Sequence, residues 1–63
     1  MSNHNRYFKV EVLNPIGVFN HWVTNFNKPS FIDAHYQYAD NTAKWKISAS
    51  EISFQDYKTA TGI

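Results

Sequence analysis

Two stretches, residues 6–13 and 18–26, flank a four-residue break, and no other feature of the chain restricts its fold as much. In Arg6-Tyr7-Phe8-Lys9-Val10-Glu11-Val12-Leu13, Phe8, Val10 and Val12 share one side and Tyr7, Lys9, Glu11 and Leu13 the other. That is the period-two signature of a half-buried strand. Asn14-Pro15-Ile16-Gly17 then suits a type I turn, because proline presets φ at its second position and glycine relieves the exit. A four-residue and a two-residue loop give the same register: Leu13 opposite Val18, Val12 opposite Phe19, Val10 opposite His21, Phe8 opposite Val23. The predicted inner face is Phe8, Val10, Val12, Phe19, His21 and Val23. On the outer face Lys9 lies opposite Trp22, Tyr7 opposite Thr24 and Glu11 opposite Asn20.

Asn25-Phe26-Asn27-Lys28-Pro29 ends the second strand, and Ser30-Phe31-Ile32-Asp33 reads as a capping box with Ser30 as N-cap. On a helical wheel Phe31, Ile32, Ala34, His35, Tyr38 and Ala39 fall on one arc, with Asp33, Tyr36, Gln37 and Asp40 opposite. Asn41 suits a left-handed stop. From Ala43 to Phe54, Trp45, Ile47 and Ala49 alternate with Lys44, Lys46, Ser48 and Ser50, after which Ile52 and Phe54 change parity. A β-bulge near Ser50-Glu51 or a turn over 48–51 accounts for the change, and the pattern leaves both open for residues 48–57. The expected fold is α+β, a ββαβ domain whose three-stranded antiparallel sheet has the order 2-1-3 and one short helix on one face. It is expected to be a single domain with an ordered core over about 6–57 and flexible tails at 1–5 and 58–63.

Sixty-three residues without cysteine leave no disulfide or thiolate metal site to stabilise a small core. The chain instead carries eleven aromatic residues: five Phe, four Tyr and two Trp. Register and wheel assign Phe8, Phe19, Phe31, Tyr38 and Trp45 to the core and leave Tyr7, Trp22 and Tyr36 surplus to it. A net charge of +1 gives neither the acidic field of a nucleic-acid mimic nor the basic field of a non-specific duplex binder. No window resembles a membrane span or signal peptide, so a soluble, cytoplasmic protein is expected.

With the helix on one side, the other sheet face is expected to be open and to bear Tyr7, Lys9, Glu11, Trp22, Lys44 and Lys46. Tyr and Trp beside lysines suit a protein partner, for which they are favoured anchors. Tyr36 on the outer side of the helix is a further candidate contact. The same mixture suits single-stranded nucleic acid, where rings stack on bases and ammonium groups meet phosphates. A plain solvated face, with Lys9 lying over Trp22, is the passive alternative. His21 and His35 are positioned to meet across the core, and buried hydrogen-bonded imidazoles fit them better than a metal site, since no third ligand shares that face. No nucleophile elbow, paired carboxylate or glycine-rich phosphate loop is present, so the expectation is a protein with no catalytic residue, cofactor or metal.

The string Tyr36-Gln37-Tyr38-Ala39-Asp40-Asn41, followed by Ala43-Lys44-Trp45-Lys46-Ile47, resembles the small early proteins of tailed phages that inhibit host enzymes. Within that group it most resembles the T-even phage antitoxin type, and the coliphage RNA-polymerase-inhibitor type is similar in size and in its order of hairpin, helix and strand. The resemblance implies a phage-encoded, non-enzymatic inhibitor that occludes a bacterial host protein. The alternatives are a single-stranded nucleic-acid-binding module and a structural or homo-oligomeric subunit, with an open sheet edge allowing a homodimer.

Overall fold

The computed structural model describes residues 5–63. Strand β1 (Tyr7–Asn14) turns into β2 (Gly17–Thr24), helix α1 (Lys28–Tyr36) and a 3-10 turn (Thr42–Lys44) follow, and β3 (Lys46–Ile52) leads into a second helix, α2 (Phe54–Thr61). The three strands form an antiparallel sheet in the order β2-β1-β3. The fold is therefore the expected small α+β sheet with one more helix than expected.

The hairpin register is the one the turn dictates. Leu13 pairs with Val18, Val12 with Phe19, Val10 with His21, Lys9 with Trp22 and Phe8 with Val23. Asn14 closes the turn with its side chain, whose Oδ1 accepts from the backbone N–H of Ile16 at 2.9 Å and of Gly17 at 3.1 Å. Gly17 leaves the turn at φ 155°, a conformation that a side chain would strain.

Helix α1 starts one turn earlier than the expected Ser30 cap. Asn27, in extended backbone, is the N-cap, and its Oδ1 accepts from Ser30 N–H at 3.2 Å. Pro29 is tolerated in that first turn because its missing N–H would have had no helical partner. The helix ends at Tyr36, so the periodicity that placed Tyr38 in the core has stopped before reaching it, and Tyr38 is 92% exposed. Asn41 does adopt the left-handed conformation (φ 59°), where it opens the 3-10 turn.

The parity change after Ala49 is neither a bulge nor a hairpin. β3 pairs with β1 without interruption from Lys46–Leu13 to Ile52–Tyr7, and Ser53 then caps α2, its hydroxyl accepting from Asp56 N–H at 3.1 Å. Gly62 ends α2 in the left-handed conformation, with its N–H bonded to Lys58 C=O. Residues 58–61, expected as part of a tail, belong to this helix. Residues 1–4 of the other expected tail lie outside the described residues.

Among the described residues, Val10, Val12 and Phe31 are the buried hydrophobic side chains. Phe8, Val23, Phe26, Ile32, Tyr36, Trp45 and Ile47 pack around them. The rings form a tilted chain across the inner face, Phe8 to Phe26 at 6.1 Å, Phe26 to Phe31 at 5.6 Å, and Tyr36 edge-on to Trp45 at 5.1 Å. Phe19 points to this face but is 42% exposed and stands apart from the cluster, because an edge strand gives it neighbours on one side only. No helix among the described residues is long and apolar enough to cross a membrane.

Candidate functional site

Antiparallel pairing arranges the outer face in rows across β2, β1 and β3: Thr24–Tyr7–Ile52, Trp22–Lys9–Ser50, Asn20–Glu11–Ser48 and Val18–Leu13–Lys46. Helix α2 lies over the first of these. Tyr7 stacks against Phe54 at 5.1 Å and Tyr57 at 4.8 Å, both tilted by about 40°. The outer face is therefore not open along its whole length, as expected without α2. It is covered at the Tyr7 end and open at the hairpin end.

The open end is apolar. Leu13 is 44% exposed, Val18 53% and Ile16, in the turn itself, 83%. Beside them Leu13, Asn14 and Pro15 form one wall of a cleft of about 450 Å³, and Asp40, Lys44, Trp45 and Lys46 form the other. Exposed apolar side chains rimmed by charge are a common composition of protein-docking surfaces.

The six candidate contact residues separate accordingly. Lys44 and Lys46 come together at the hairpin-end cleft, although Lys44 sits in the 3-10 turn and not on the sheet face. Lys9 is exposed two rows away. Trp22 is half-buried near Tyr57, and Tyr7 is engaged beneath α2. Lys9 and Trp22 face each other in register, but the cation–π contacts among the described residues are Arg6 over Phe8 and Lys58 over Phe54.

Tyr36 lies on the inner side of α1, against the core, and not on its outer side as expected. It is half-buried, and its phenol lies 2.6 Å from Nε2 of His21. At the last position of α1, one turn after Ile32, its side chain joins Phe31 and Ile32 on the inward arc, whereas the wheel sets it opposite them.

His21 and His35 do meet, with ring centroids 4.8 Å apart, and Phe31 stands edge-on to His21 at 5.1 Å, but they are not the buried pair expected: His21 is half-buried and bonded to Tyr36, whereas His35, on the solvent side of the contact, is exposed. Burial pushes the His21 imidazole below its ordinary pKa, and the nearby His35 adds to the effect. Burial raises the Tyr36 phenol above its ordinary value. A neutral imidazole accepting from a protonated phenol satisfies both groups. Among the described residues no three His, Asp or Glu side chains gather where they could hold a metal ion.

Sequence reasoning missed Leu13, Ile16 and Val18 as surface candidates, since they look like ordinary strand and turn hydrophobes. The signal that would have exposed them is Ser53-x-x-Asp56 followed by Gly62, a helix start and stop that places α2 over only one end of the sheet. No protein-family model, curated protein or solved structure matches this chain.

Proposed function

We propose that this protein is a non-enzymatic binding module that docks on a bacterial protein through the hairpin end of its outer face and inhibits it by occlusion. The observation that carries this reading is the clustering of exposed Leu13, Ile16 and Val18 beside the Lys44–Lys46 cleft. Apolar side chains supply the area that excludes water, and the two lysines favour a partner with carboxylates at its rim. The resemblance to small early phage inhibitors directs the search to host enzymes. Single-stranded nucleic acid is the weaker fit, because the Tyr7 ring that would stack on a base is already packed against Phe54 and Tyr57.

The test is affinity capture from bacterial lysate with wild type and Leu13→Asp. A partner held by wild type and lost with Leu13→Asp supports the reading. Equal capture by both removes the hairpin end as the site.

A further inference from the structure

Strand β2 has a neighbour on one side only. Exposed edges are normally protected by charged side chains, proline or bulges, which discourage pairing with another chain. β3 follows that pattern with Lys46 and Glu51. β2, Gly-Val-Phe-Asn-His-Trp-Val-Thr, contains no proline and no Asp, Glu, Lys or Arg, and its pairing with β1 runs unbroken over all eight residues.

The two ends of this edge are complementary. At one end Ile16, Val18 and Phe19 are exposed. At the other, a cleft of about 360 Å³ runs along the strand, walled by Trp22 and Tyr57 on the outer side and by Phe26, Phe31 and His35 on the inner side. An antiparallel copy of the strand reverses the ends, so a two-fold axis brings the apolar tip of each chain to the aromatic cleft of the other. Side chains keep their faces only when the paired residues are both even or both odd. Pairing centred on Asn20 meets this condition and sets Val18 against Trp22 and Phe19 against His21 of the second copy. Across the axis the two Asn20 amides both donate and accept, so they can pair with each other.

The surface area leaves room for such a contact. The accessible area of 4816 Å² is about 600 Å² above the ~4200 Å² expected of a compact chain of 7.4 kDa. The radius of gyration, 12.6 Å, likewise exceeds the ~10.6 Å of a compact domain of this length.

From this we infer that the chain forms a two-fold homodimer by antiparallel β2–β2 pairing centred on Asn20, which joins two three-stranded sheets into one of six. The contact shares Ile16 and Val18 with the proposed partner-docking surface, but Leu13, on β1, belongs to docking alone, so Leu13→Asp and the Asn20 variants report on the two contacts separately.

Light scattering of the full chain over a concentration series tests it. Wild type approaches twice 7.4 kDa as concentration rises. Asn20→Lys and Asn20→Asp, each placing like charges on the axis, halve that mass, and mixing the two variants restores it. Ser48→Lys, on the β3 edge, leaves the dimer intact. A wild type that stays at 7.4 kDa throughout, an Asn20→Lys protein that remains dimeric, a mixture that remains monomeric, or a Ser48→Lys protein that dissociates overturns the inference.

Discussion

The Tyr36 phenol lies 2.6 Å from Nε2 of His21, tying the last residue of α1 to the centre of the edge strand β2. Tyr36→Phe keeps the ring against Trp45 and removes only this bond, so unfolding in urea should show a loss of about 1 kcal/mol. The same pair makes stability depend on pH. His21 has a folded pKa below the ordinary 6.5, so between the folded value and 6.5 the unfolded chain binds more protons. Its contribution is complete above 6.5 and is lost as pH falls through the folded value. Tyr36 acts in the opposite direction, and stability falls as pH rises beyond 10 because the unfolded phenol ionises first. Urea midpoints across a pH series check both slopes, and His21→Gln should flatten the acid one.

The position of the α1 cap separates two otherwise similar substitutions. Asn27→Ala removes the acceptor for Ser30 N–H and should cost about 1 kcal/mol in urea unfolding. Ser30→Ala, at the residue that the sequence marks as the cap, should leave the midpoint nearly unchanged.

So small a core concentrates stability in few side chains. Phe31 is 5% exposed and touches both the Phe26 ring and the His21–His35 pair. Phe31→Ala should cost about 3–5 kcal/mol, most of the roughly 3–9 kcal/mol available to a chain of this length. Circular dichroism at room temperature is expected to find that variant largely unfolded.

The hairpin was readable from sequence because its turn and its alternation specify the same register independently. Asn14-Pro15-Ile16-Gly17 sets which residues pair, and Phe8, Val10 and Val12 set which face is buried. The inner meeting of His21 with His35 followed from that register. Helix α2 was hidden because Ile52 and Phe54 were read as a strand that slips, when the slip marks the passage through Ser53 into a helix. A strand interior and a helix first turn look alike over four residues, and the Ser53–Asp56 cap together with the distant Gly62 distinguishes them. That one missed element also changed the outer face, since α2 removes Tyr7 from the open part and leaves Leu13 and Ile16 exposed at the hairpin end. Tyr36 sits one turn after Ile32 on the same arc, and its hydroxyl, which reads as a surface group, is satisfied inside by His21.

The covering of Tyr7 by α2 has its own consequence. Tyr57→Ala removes one of the two rings that enclose Tyr7, and it should increase quenching of tyrosine fluorescence by added iodide while leaving the hairpin register, read from backbone amide shifts of residues 10–20, in place.

The central claim is that the outer face is closed at Tyr7 and open at the hairpin end. It is tested most directly by nuclear magnetic resonance with a soluble paramagnetic relaxation agent. Strong relaxation of the Leu13 methyl groups with a protected Tyr7 ring is the predicted result. A Tyr7 ring relaxed as strongly as those methyls would contradict it.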